Sequence, residues 1–224
     1  MPDYFSHGVA AEIIYEKLES KYKNMLAPKT LYLLGAQGGD IFFAYDVKPT
    51  KTNLGRSLHK KNAIYLFEQL KSGNRAYAAG YATHYALDAS LHPTIYAFER
   101  TKRSPFAHSS FESDLGLYIS RKYGLRRQII PEEKVLACTG MVYDTMKKVE
   151  PLITVTGTER CLKRHFLYTR FLYRTKRQEY KCGYEFTRLD GEIEDSIELG
   201  LSAVKCVLDG NIDPDIFGKQ FLQK

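Results

Sequence analysis

The sequence predicts an all-α protein, a single multi-helix bundle, on three observations. Apolar residues recur at three- and four-residue spacing along most of the 224-residue chain, the pattern of a helix face. Only two short apolar runs are strand-like. No repeat, low-complexity tract or convincing linker divides the chain, so 1–224 is expected to form one helical domain. Its chemistry-bearing motifs fall in 1–120 and a helical remainder in 121–224.

The elements follow in chain order. His7, Ala11, Ile14 and Leu18 form the first stripe. LYLLG (31–35) and IFFAY (41–45) are too short to separate strand from buried helix. AQGGD between them, with two glycines before Asp40, reads as a tight loop delivering a carboxylate. Segments 48–55 and 98–107 read as loops. Leu58, His59, Ala63, Leu66 and Leu70 form a second stripe, and Tyr77, Gly80, Tyr81, His84, Leu87, Asp88 and Leu91 a third. Pro93 is expected to end or kink that helix near His92. His108, Phe111, Glu112, Leu115 and Ile119 form a fourth. Pro131-Glu132-Glu133 starts a helix expected to reach Val149, with acids at the positive end of its dipole. Segments 158–173 and 191–208 are further helices, and Gly210 is a stop.

The net charge of +7 and pI near 9.1 favour anionic partners such as phosphate esters, nucleic acid or anionic lipid surfaces. The densest cationic clusters are Lys102-Arg103, Arg121-Lys122, Arg126-Arg127, Lys163-Arg164 and 174–177. The 4 cysteines lie at 138, 161, 182 and 206, and none forms a CxxC, so free thiols are expected. MPDYFSHG lacks a basic region followed by an apolar run, and no segment reaches the roughly 18 apolar residues of a membrane span. A cytoplasmic protein is the expectation.

Of 6 histidines, His7, His59, His84 and His108 each lie on an apolar stripe, so their rings should face a core. His165 lies on such a stripe too, yet it is flanked by Lys163, Arg164 and Arg170 and has no carboxylate four residues on. It reads as structural. Asp88 stands four after His84 and four before His92, and Glu112 stands four after His108. Each spacing stacks an imidazole and a carboxylate on one helix face. Such a pair can chelate zinc, or it can be a hydrogen-bonded couple.

Together the pairs are harder to treat as couples. Burying Asp40, Asp88 and Glu112 without countercharge would cost several kcal/mol per ion. No Lys or Arg sits at the matching offsets. Divalent cations would supply the charge and leave a net positive site suited to a phosphodiester.

His7, the GAQGGD loop ending at Asp40, His59, HxxxD at 84–88, His92 and HxxxE at 108–112 resemble, in order and type, the zinc-dependent phospholipase C family of bacteria. The resemblance covers roughly residues 4 to 120. It implies an all-helical bundle of the phospholipase C and zinc nuclease type, with two or three zinc ions at the bottom of a cleft. By it, Asp40, His59, His84 and Asp88 hold one zinc, and His92, His108 and Glu112 a second. His7, with Asp88 as a bridge, holds a third. Asp40 is also the implied general base, on a metal-activated water that attacks the phosphodiester of a phospholipid head group. A phospholipid or other phosphodiester substrate and a transient membrane contact follow, with no stable nucleic-acid partner.

Two features depart from the family: the N-terminal Trp of the secreted relatives is missing, and no export signal is read at MPDYFSHG. Secreted relatives place the amine of a processed N-terminal Trp on the third zinc, whereas this chain has 0 Trp. A Pro2 amine would lie only five residues from His7. Two competing readings remain: a single-strand zinc nuclease, whose last pair reads HxxxD where this chain has HxxxE, and a helical zinc-binding protein without turnover. Phe42, Phe43, Tyr45 and Tyr85 are either core residues or a platform for bases or lipid.

Overall fold

The computed structural model describes residues 4–46, 53–125, 130–174 and 179–218. Every regular element among them is helical. The order is α1 (Tyr4–Lys17), α2 (Ser20–Met25), α3 (Lys29–Gly35), a 3-10 turn (Gly38–Ala44), α4 (Leu54–Leu58) and α5 (Ala63–Leu70). Then come α6 (Arg75–Arg100), α7 (Ala107–Lys122), α8 (Glu132–Ala137), α9 (Thr139–Met146) and α10 (Val155–Arg174). A second 3-10 turn (Phe186–Leu189), α11 (Asp190–Asp209) and α12 (Pro214–Phe217) complete it.

The long helix α6 is the axis. Asn74 caps its start, accepting from the amide of Tyr77 at 3.1 Å. It is buried on nearly all sides: α3, α1, α7 and the first 3-10 turn pack on it from the N-terminal half, and α11 lies along it from the C-terminal half. The α3 contact is backbone on backbone. A Cβ on Gly80 would lie 2.0 Å from the Tyr32 carbonyl oxygen, and one on Gly35 2.1 Å from that of Tyr77. One turn above, the buried Tyr32 hydroxyl donates to the Ala11 carbonyl and meets the Thr83 hydroxyl, each at 3.1 Å. That ties α1, α3 and α6 together one residue before His84.

The remainder of the chain covers these helices from two sides. Ile193, Ile197, Ala203 and Val204 of α11 join the same buried cluster as Tyr77, Tyr81 and Leu87. The helix α10 lies over the first 3-10 turn, where Arg164 donates to the Ala44 carbonyl at 2.9 Å. Buried Asp114 of α7 accepts the amides of Lys181 and Cys182, both at 2.7 Å, and fastens the approach to α11.

Several local expectations are corrected. Segment 31–35 lies in α3 and 41–45 falls mostly in the 3-10 turn, so neither is a strand. Pro93 does not end α6, which runs on to Arg100; burial of Ile95 and Phe98 beyond it outweighs the lost hydrogen bond. The loops are shorter than expected, because Phe98 to Arg100 belong to α6 and α4 begins at Leu54. Residues 48–52 lie outside the described segments. The second stripe is split into α4 and α5 by the turn after His59. The helix expected over 131–149 breaks at Cys138, where the Thr139 hydroxyl donates to the Leu136 carbonyl at 2.7 Å and competes with the helical ladder. Gly210 ends α11 with φ of 75°, as expected.

Candidate metal centre

The eight predicted positions converge. His7 comes from the first turn of α1, Asp40 from the 3-10 turn and His59 from the C-terminus of α4. His84, Asp88 and His92 come from α6, and His108 and Glu112 from α7. All are buried except His108, which is half-buried. Their donor atoms form three groups, each with all its atoms within 4.8 Å of one another: His7, Asp40 and His84; His59, His84 and Asp88; His92, His108 and Glu112.

The glycine pair before Asp40 has a steric reason. Gly38 has φ of 51°, and a Cβ there would lie 2.0 Å from Cδ2 of His84. A Cβ on Gly39 would lie 2.8 Å from Cε1 of His59. Two rings press on the backbone of the turn, and only glycine leaves them room.

Hydrogen bonds fix the imidazole tautomers. His59 Nδ1 donates to the Gly55 carbonyl at 2.7 Å and His92 Nδ1 to the Asp88 carbonyl at 3.1 Å. His108 Nδ1 donates to the Glu99 carboxylate at 3.2 Å. In the neutral ring each Nε2 then carries a lone pair facing the cluster. His59 Nε2 faces Asp40 Oδ1 at 3.1 Å and His84 Nε2 at 3.1 Å. His108 Nε2 faces Glu112 Oε1 at 3.0 Å.

Asp88 stands between the groups. Its Oδ2 lies 3.2 Å from His84 Nε2 and 3.5 Å from His59 Nε2. Its Oδ1 lies 3.3 Å from His92 Nδ1 and 3.4 Å from His7 Nε2. Among the described residues, Asp40, Asp88 and Glu112 have only histidines as ion-pair partners.

Electrostatics exposes the deficit of positive charge. Burial, then the carboxylates of Asp40 and Glu112, push the Asp88 acid well above the usual range. Burial and the His7 ring hold His84 well below its ordinary value, and burial takes His92 to about 4. Burial opposes ionisation of Asp40, but His84, His59 and His7 outweigh it and hold that acid below the usual range. Burial opposes protonation of His59 too, yet its contact with Asp40 prevails and raises it. The raised His59 and Asp88 mark atoms that a cation would satisfy in place of a proton.

The fit to metal rests on donors left over. Asp88 Oδ2, Glu112 Oε2 and His7 Nδ1 are buried without a hydrogen-bond partner. Two of the three atoms are carboxylate oxygens facing inward, and nitrogen and oxygen donors in groups of three suit zinc. Beside them lies a small cleft of about 20 Å³. Ser6, His7, Asp88, His92 and Glu112 form its polar wall, and Leu87, Leu91, Ile95 and Leu115 its apolar wall.

The sequence model of the family described as zinc dependent phospholipase C matches residues 6–153. The chain belongs to that family. The matched span takes in all eight donor positions and ends before α10. At family level, membership supports a zinc phosphodiesterase, and the described residues show an all-helical fold with His, Asp and Glu groups that could bind metal. No curated protein and no solved structure gives a significant match to the chain.

Two residues around the centre went unread in the sequence. Glu99 holds His108 from behind. Tyr96, four residues after His92, sets its ring 5.4 Å from His92 and 5.5 Å from His108. Burial, then Asp88 and Glu112, push the Tyr96 hydroxyl up to about 12, so it stays a proton donor. Its signal was the same four-residue step, overlooked because Tyr is common in cores. The aromatic platform divides: Phe42 and Tyr85 are fully buried core residues, and the Tyr45 hydroxyl accepts from the Thr154 amide at 3.0 Å. Only Phe43, half-buried with its ring 5.5 Å from His59, borders the centre. Pro2 lies outside the described residues. No described helix is long and apolar enough to cross a membrane.

Proposed function

We propose that this chain is a phospholipase C-type hydrolase that cleaves the phosphodiester of a phospholipid head group. The carrying observation is the set of three buried donor groups joined through His84 and Asp88. Asp40, His59, His84 and Asp88 would hold one ion, His92, His108 and Glu112 a second, and His7 with Asp88 as a bridge would offer donors to a third. Two ions are the minimum that countercharge requires, because three buried carboxylates contribute −3. Zinc, when bound, supplies Lewis-acid polarisation of the phosphodiester and acidification of water.

The chain's own groups supply the rest. Asp40 stays ionised and accepts the proton of the attacking water, as a general base on a turn held rigid by the rings of His59 and His84. The Gly55, Asp88 and Glu99 oxygens keep His59, His92 and His108 in one tautomer, so the donor atoms need no reorganisation. The Tyr96 hydroxyl stands at the rim as a donor toward a phosphoryl oxygen. The aliphatic wall of the cleft suits the glycerol side of a lipid better than a second anionic phosphate, which favours lipid over a polynucleotide.

Elemental analysis of purified protein should find two or three zinc per chain, and His84→Ala should lower that number. Asp40→Asn should cut turnover of a choline phosphodiester at least about 100-fold. A chain without bound zinc would reject the proposal, and turnover of single-stranded DNA alone would replace the lipid with a polynucleotide.

A further inference from the structure

The connection between α6 and α7 leads directly into the centre, and its composition is unusual for a short loop. Residues 99–106, ERTKRSPF, are all exposed. Phe106 is 72% exposed, two residues before His108. Arg100, Lys102 and Arg103 precede it in the chain, Lys102 Nζ lies 4.9 Å over the Phe98 ring, and among the described residues none of the three forms an ion pair. Glu99, the acid that would neutralise them, is turned to His108 at 3.2 Å. The loop is held in place: the Phe106 amide donates to the Ser104 hydroxyl at 3.2 Å and the Ala107 amide to the Ser104 carbonyl at 3.1 Å.

An exposed aromatic ring on a cationic loop matches a surface that is apolar beneath and anionic above, the chemistry of an anionic lipid leaflet. Exposure alone would fit many partners. The unopposed charge selects an anionic one, and a ring with no pocket of its own selects one that can admit it. Building on the phospholipase reading, we infer that residues 100–106 dock the protein on anionic lipid, with Phe106 entering the interface and Arg100, Lys102 and Arg103 contacting head groups. The docked loop brings the rim of the centre, His108 and Tyr96, against the leaflet that carries the substrate.

The competing surface is the outer face of α10. There Leu167 and Phe171 are 59% and 65% exposed beside Lys163 and Arg170. It carries similar chemistry on a helix that bears no donor of the centre.

Sedimentation with phosphatidylcholine vesicles, with and without phosphatidylserine, tests the assignment. The full chain should bind the anionic vesicles at least about tenfold tighter, and salt should erase the difference. Phe106→Ser should weaken binding about tenfold or more. The site is the N-cap of α7, where serine is favoured, so the fold should survive. Lys102→Gln with Arg103→Gln should do the same, and Phe171→Ser should not. Hydrolysis of a water-soluble choline phosphodiester should stay unchanged in all three, while hydrolysis of vesicle lipid falls with the first two. Equal binding to both vesicle types, or loss with Phe171→Ser alone, overturns the docking assignment. So does binding of single-stranded DNA in place of vesicles. The soluble substrate reports separately on the phospholipase reading: without its turnover that reading fails, while vesicle binding still decides the loop.

Discussion

His108 is the most exposed donor of the centre, and Glu99 is what makes it reliable. The carboxylate behind Nδ1 fixes the ring and leaves Nε2 toward Glu112. Glu99→Gln keeps the shape and replaces a charged acceptor by a weaker one. Zinc affinity at the His92, His108 and Glu112 group should fall about 10- to 100-fold, read by competition with a chelator. Unchanged affinity would reduce Glu99 to a surface ion pair. His165 makes the contrasting case. It was read as structural, and it is a buried ring on α10 that burial drives down to about 4. Its folded pKa is below the unfolded value near 6.5, so the folded chain binds fewer protons between the two. The stability it contributes is complete above pH 6.5 and is lost as pH falls through about 4. In metal-free protein, His165→Asn should shrink the stability difference between pH 7 and pH 4 by on the order of 3 kcal/mol, measured by urea unfolding. An equal difference in both proteins would show that His165 titrates normally. At this scale the eight donors were legible because chelation needs particular residue types at a fixed spacing. Glu99 was not, since its role comes from a turn of chain that no spacing rule describes.

The element that organises the centre is α6, and its weakest tolerance lies at Gly80. Ordinary van der Waals contact needs more than 3 Å, and the Cβ of Gly80→Ala would meet backbone of α3 at 2.0 Å. Backbone cannot rotate away, so α3 and α6 must separate, and His84 sits one turn further along. The substitution should cost on the order of 3 kcal/mol in thermal unfolding and lower zinc content as well. Loss of stability with full zinc content would mean that the helix contact and the centre are uncoupled. Helical periodicity gave α1, α7, α10 and α11 nearly to their ends, and α6 up to His92. It failed where tertiary packing decided: α6 passes Pro93 because Ile95 and Phe98 have a core to enter. It also failed on segments 31–35 and 41–45, whose apolar runs carry no period at that length.

For the molecule as a whole, the centre is a store of unfavourable burial that a bound cation relieves. Removing zinc by chelation should lower the melting temperature by about 10 °C for each site emptied, from about 4 kcal/mol per site at free zinc a thousandfold above Kd and 2–4 °C per kcal/mol. Restoring zinc should reverse it, and a chelator-insensitive transition would mean that the donors are satisfied without metal. We propose that both halves of the chain unfold in that one transition, since α11 and α6 share a core. The function of the second half was invisible in its sequence because covering a helix needs only apolar periodicity, which many helices have.

The four-residue step along α6 has a geometric corollary. A helix turns about 100° per residue, so each step of four overshoots a full circle by about 40°. Gly80, His84, Asp88, His92 and Tyr96 therefore form a slowly winding thread, not a straight column. The thread meets α3 first, then the 3-10 turn and α4, then α1, and last α7, so a single rod serves five neighbours in succession. A one-residue insertion between His84 and His92 would swing everything beyond it by about 100° and part the first half of the thread from the second. Lengthening the chain by one residue after Arg100 would leave the thread whole.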